Sequence, residues 1–125
     1  MWFLKDLEKL ESWLSSCRKD ITNSSRIVAF AGTVSLFRGN LNLAIKDLSQ
    51  SVEELTPMRW NNLGVALAFH AENVGAEVDP KGEAIIAFRS AIDATSNQTL
   101  AEKIEENIRI YLERDLIAQY YIELP

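Results

Sequence analysis

Apolar residues along this chain recur at three- and four-residue steps rather than in alternation, so each segment between turn signals reads as a helix with one inward stripe. Leu4, Leu7, Leu14 and Cys17, with charges between them, predict an amphipathic helix of about four turns from near Trp2 to Arg18. Asn23, Ser24 and Ser25 offer N-cap side chains to a second helix over 26–38, and Gly39 supplies its left-handed stop. Leu41, Ala44, Ile45, Leu48 and Val52 mark a third helix, which ends before Thr56-Pro57, a capping threonine ahead of a proline in the first helical position. The fourth runs from Pro57 to about Asn73 and stops at Gly75. Asp79-Pro80 has the same cap-plus-proline form and predicts a fifth helix, with Ala84, Ile85, Phe88, Ala91 and Ile92 inward and its end near Ala94. Thr99-Leu100-Ala101-Glu102 fits a capping box ahead of a longer sixth helix carrying Leu100, Ile104, Ile108, Tyr111, Leu112 and Leu116. Residues 120–125 either end that helix or form an extended tail. The expected fold class is all-α, with about six helices.

Gly32 and Gly64 stand in mid-helix, where glycine costs about 1 kcal/mol against alanine unless a neighbouring helix needs the space. Trp60-x-x-Leu63-Gly64-x-x-Leu67, followed by Ala84-x-x-x-Phe88, resembles the tetratricopeptide repeat, which pairs a Trp-Leu-Gly-Tyr helix with an Ala-Phe helix. A second, more divergent copy reads Val28-x-x-Ala31-Gly32-x-x-Ser35 and then Ala44-x-x-x-Leu48, with Pro57 after it. Val28 replaces the tryptophan, Ser35 and Leu67 replace the tyrosine, and the proline after the second copy is missing. The resemblance implies antiparallel helix-hairpin repeats in a right-handed superhelix within a single domain over 1–125. Its parts would be a capping helix over 1–22, repeat one over 25–56, repeat two over 57–95, and a capping helix with a tail over 97–125. Gly32 and Ala44 are 12 residues apart, but Gly64 and Ala84 are 20 apart. If each helix of the second repeat gained about one turn, the extra residues would be absorbed without rotating either apolar stripe. An elongated hairpin is therefore expected, rather than a long loop.

Composition narrows the chemistry. The 125 residues are 47% hydrophobic and 25% charged, as in ordinary globular domains. The net charge of −5 is concentrated late: residues 83–125 hold eight acidic groups against four basic ones. A polyanion would be repelled there, and the basic stripe that nucleic-acid binding needs is missing, so no nucleic-acid partner is expected. One cysteine excludes an internal disulfide, and one histidine, His70, leaves little from which to build a nucleophilic triad. Too few Cys and His are present for a zinc site of that type, and no phosphate-binding glycine loop occurs. The expectation is a non-enzymatic protein without cofactors. With neither a signal-peptide pattern nor an apolar run long enough to span a bilayer, it is expected in the cytoplasm or an organelle interior.

The helices carrying the two glycines are unusual in lacking charge: none occurs from Ile27 to Phe37, nor from Trp60 to Ala71 unless His70 is protonated. Besides the packing stripe, each has a second one. In the first it runs through Arg26, Ala29, Phe30, Thr33, Leu36 and Phe37; in the second, through Met58, Asn61, Asn62, Val65, Ala68 and Phe69. The resemblance implies that this second stripe lines a concave groove. The expected binding residues are Arg26, Thr33, Phe37, Met58, Asn61, Asn62, Val65 and Phe69. Their partner would be a protein or peptide with an apolar helical or extended segment. Two other occupants remain open: the chain's own terminal helix, or a second copy in a homo-oligomer. A second functional class also stands, a purely structural subunit buried in a larger complex. Only Asn62 matches the carboxylate clamp with which some members of that family bind chaperone C-termini, so that function does not transfer.

Overall fold

The structure, a computed structural model, describes residues 8, 12, 25–50 and 56–123; side chains at 25–27 lie outside the description. The described residues form five helices and no strand: α1 Ser25–Phe37, α2 Leu41–Gln50, α3 Pro57–Asn73, α4 Glu83–Ala94 and α5 Gln98–Glu113. The helix expected near 2–18 lies outside the described residues, save Glu8 and Ser12, which are helical and exposed. Val52, expected on the third helix, also lies outside them. None of these helices is long and apolar enough to cross a membrane. The chain divides into two compact units, 1–54 and 55–125.

In the first unit α1 packs against α2. Every residue from Ala29 to Leu36 is buried, consistent with a helix that has no charged side. At Gly32 the two helices meet closely: a Cβ there would stand 2.7 Å from Leu48 Cγ and 3.1 Å from the Leu48 backbone nitrogen. After α1, Gly39 adopts φ 79°, Gly39 N–H donates to Leu36 O and Asn40 N–H to Ser35 O. That bond pair is a Schellman stop.

The second unit repeats this contact with a larger side chain. α3 packs on α4 and α4 on α5. A Cβ on Gly64 would stand 2.7 Å from two atoms of the Phe88 ring, so the ring lies directly against the α3 backbone. Thr56 caps α3 by accepting from Arg59 N–H at 3.3 Å, with Pro57 in the first turn. The Schellman stop recurs at Gly75 (φ 70°) and at Arg114 (φ 48°), the latter a left-handed residue that is not glycine.

Three boundary expectations are corrected. Asp79 does not cap α4: its carboxylate accepts from Lys81 N–H at 3.0 Å, and Gly82, three residues later, is the N-cap of the helix that begins at Glu83. Thr99 is not the cap of α5 either, because Asn97 Oδ1 takes the Leu100 amide at 3.2 Å and starts the helix at Gln98. α5 ends at Glu113, so Leu116 lies beyond it and is exposed. The lengthening of the second hairpin is also uneven. α3 runs nine residues past Gly64 where α1 runs five past Gly32, about one turn more, and the rest of the insertion forms the link 74–82. That link is tied to α5: Asp79 N–H donates to Tyr111 Oη at 3.0 Å, and the Arg114 guanidinium donates to Ala76 O.

Candidate functional site

Three asparagines in the second unit are fully buried: Asn61 and Asn62 on α3 and Asn107 on α5. A buried carboxamide needs partners for two donors and an acceptor, and the cost of leaving one group unmet is about 1–3 kcal/mol. The partners here are main-chain groups of the segment that follows α5. Asn107 Oδ1 accepts from Tyr121 N–H at 2.7 Å, and its Nδ2 donates to Tyr121 O at 2.9 Å. Asn62 pairs in the same two-bond way with Glu123, N–H and carbonyl both at 3.0 Å. Asn61 joins the two helices, donating to Tyr121 O at 2.9 Å and accepting from Asn107 Nδ2 at 2.8 Å. Asn107 and Asn62 thus each stand in for a peptide unit of a neighbouring strand.

The paired residues are two apart, and the side chains between them alternate: Tyr120 and Ile122 are buried, whereas Tyr121 and Glu123 are partly open. That period of two belongs to extended chain. A return segment therefore occupies the cleft between α3 and α5, where a terminal helix filling the groove had been one expectation.

Tyr120 carries the main apolar contact. Its ring meets Phe69 edge-on at 5.2 Å and stacks on Phe88 at 6.4 Å, the ring that Gly64 admits against α3. Its hydroxyl donates to Glu72 Oε1 at 3.2 Å, and burial, reinforced by the Glu72 charge, raises its pKa so that it stays protonated. Lys103 Nζ lies 4.8 Å above the Tyr121 ring. At the end of the segment Glu123 Oε2 is buried without a hydrogen-bond partner, and desolvation raises that carboxyl's pKa against the opposing pull of Lys103.

The turn that aims the segment is built on Asp115. Its Oδ1 accepts from the Ile117 and Ala118 amides, both at 3.2 Å, and its Oδ2 meets Arg109, which also pairs with Glu106 and Glu113. The Ala118 amide, followed by Ile117 and Arg109, holds the Asp115 carboxyl below the usual range despite some desolvation.

Of the eight residues expected to bind a partner, Asn61, Asn62 and Phe69 meet at this cleft. Val65 is fully buried on the same helix and Met58 is half-buried in its first turn. Thr33 and Phe37 belong to the other unit: the Thr33 hydroxyl is buried and donates to Ala29 O at 3.0 Å, and Phe37 is half-buried. The Arg26 side chain lies outside the described residues. Asn107 and Glu72 were missed, and of the two expectations for 120–125 the extended tail holds over 120–123, though its docking on α3 and α5 was not foreseen. Asn107 was legible as a polar residue on the inward stripe of Ile104, Ile108 and Tyr111, and the segment as an alternating Tyr120-x-Ile122. No group of three or more His, Cys, Asp or Glu among the described residues could hold a metal ion. No protein-family model matches the sequence, and neither a curated protein nor a solved structure does.

Proposed function

We propose that this protein is a non-enzymatic interaction module, an adaptor, assembly factor or accessory subunit, whose α3–α5 cleft binds an apolar segment of a partner protein. Each helix pair would follow a tetratricopeptide-like plan. Support for that plan comes from Gly32 against Leu48 and Gly64 against Phe88, the same contact at the same two signature positions. The observation that carries the functional reading is the trio Asn61, Asn62 and Asn107, whose amides pair with main chain at residues 121 and 123. Main-chain bonds give affinity for any extended chain, while pockets for alternate side chains supply selection.

The test is affinity capture of partners from the native source with the wild-type chain and with the Asn61→Ala/Asn62→Ala double variant, its helical content checked by circular dichroism. Selective loss of a partner from the folded variant is expected. Equal recovery would place binding elsewhere. The alternative, a structural subunit permanently held in a larger complex, draws on Leu116 and Ile117, 74% and 98% exposed on the turn after α5. It would be favoured if the isolated chain aggregates or is recovered only as part of an assembly.

A further inference from the structure

Resting on the interaction reading above, we propose that the cleft's ligand is an extended partner segment with an aromatic residue, any residue, an aliphatic residue and then an uncharged residue, and that the return segment 120–123 is a displaceable internal copy of it. The first and third positions follow from side-chain burial: Tyr120 sits against Phe69 and Phe88 with its hydroxyl on Glu72, and Ile122 is buried two residues on. The second is permissive, because Tyr121 is held by its N–H and carbonyl while its side chain stays partly open beside Lys103. Nothing in the asparagine bonds depends on the side chains of the chain being held, so a foreign segment satisfies the same carboxamides.

The fourth position makes the internal copy a weak competitor. Glu123 is held through its main chain by Asn62, yet its carboxylate places Oε2 where no donor reaches it. A segment with an uncharged side chain there keeps both Asn62 bonds and avoids desolvating a charge. Release is also local. The segment leaves α5 through Arg114, a non-glycine residue at φ 48°, and through a turn whose Leu116 and Ile117 are exposed, so the flap 115–123 opens with no helix unwound, and the Phe69 and Phe88 faces it uncovers are those an incoming aromatic residue covers again. Once it opens, the three asparagines face water until another main chain replaces it, and that demand favours an exchange of one peptide for another.

The test uses labelled peptides and fluorescence anisotropy. The probe is Gln-Tyr-Tyr-Ile-Glu-Leu-Pro, the sequence of 119–125, titrated into full-length protein carrying Tyr120→Ala and Ile122→Ala to weaken the internal copy. Saturable binding is expected, at least tenfold tighter than to wild-type protein. A glutamine in the Glu123 position of the peptide should tighten binding, and alanine in the Tyr120 or Ile122 position should weaken it at least tenfold. Asn62→Ala in the protein should weaken binding of the probe at least threefold while leaving its preference over a scrambled peptide, since Asn61 and Asn107 still hold the main chain and the Tyr120 and Ile122 positions still select. Should the doubly substituted protein not fold, a protease site placed after Ile117 in the wild-type chain and cut under native conditions serves instead, with uptake of labelled probe as the readout. Absence of uptake by folded protein overturns the proposal even where asparagine-dependent partner capture persists. Exchange of return segments between two copies at micromolar concentration, scored by mixing differently tagged chains, overturns it in favour of a second copy as the occupant.

Discussion

The two helix pairs use one glycine contact to different ends. In α1–α2 the residue that closes on the glycine is Leu48, and in α3–α4 it is Phe88, whose ring also supports Tyr120. Three residues before the glycine, the first pair has buried Ala29 where the second has buried Asn61; two before, it has buried Phe30 in place of buried Asn62. Thr33 stands where the second pair has Val65, and its hydroxyl is answered by the Ala29 carbonyl of its own helix. Among the described residues the first pair thus has no carboxamide at these positions. The second has carboxamides at the same depth that are satisfied only when another main chain lies beside them. Position in the helix pair sets burial, and residue type then decides whether that burial makes core or a binding cleft.

The largest effects test the shared part of that contrast. Gly32→Leu and Gly64→Leu should each destabilise by about 2–3 kcal/mol, since even a Cβ is 2.7 Å from its neighbour and overpacking outweighs leucine's better helix propensity of about 1 kcal/mol. Denaturant midpoints measure this, and a gain in stability at either position would break the equivalence of the two pairs. Effects next in size test the difference. Asn107→Ala strands Tyr121 N–H and Asn61 Oδ1 and should cost roughly 2 kcal/mol, with Asn62→Ala slightly less. The reciprocal change Ala29→Asn should also destabilise by about 1–3 kcal/mol, because it puts a polar carboxamide into a buried position filled by a methyl group. If Ala29→Asn were neutral, depth alone would not distinguish the pairs.

The helices within 25–50 and 57–113, most of their inward stripes apart from the exposed Leu112 and Leu116, both packing glycines and the stops at Gly39 and Gly75 were legible, because periodicity and left-handed caps are local properties of the sequence. The starts of α4 and α5 were not. Asp79 and Thr99 satisfy the local grammar of a cap, yet the Asp79 amide is drawn to Tyr111 from a distant helix and Asn97 competes two residues earlier. Asn61 and Asn62 were found as a stripe, but their partners lie 60 and 61 residues away, a pairing that no helical period encodes. The acidic last third does not keep its own end from docking, because the asparagine contacts of 121 and 123 use main chain and involve no charge.

The smallest effect concerns charge at the end of the return segment. Glu123 titrates above its ordinary range in the docked state, so its protonated form favours docking, and that contribution is lost as pH rises through the raised pKa. Asp115 has the opposite sign: its contribution is present above the ordinary carboxylate range and is lost as pH falls through its lowered pKa. Docking should therefore tighten as pH falls from neutrality toward the ordinary carboxylate range and loosen only below that range. Glu123→Gln should remove the tightening while leaving the acid loosening in place, followed by Tyr120 ring chemical shifts across the titration. A flat profile in the wild type would mean that the Glu123 carboxyl is not desolvated in solution.

The pairing of main chain with buried carboxamides is tested most directly by amide hydrogen exchange at Tyr121 and Glu123, the two N–H groups donated to Asn107 Oδ1 and Asn62 Oδ1. Both should exchange well below the unprotected rate in the wild type, and Asn62→Ala should release Glu123 more than Tyr121, which Asn107 and Asn61 still hold. Unprotected exchange at both amides, with α3 and α5 themselves protected, would contradict the docked return segment and leave the three asparagines without their partners.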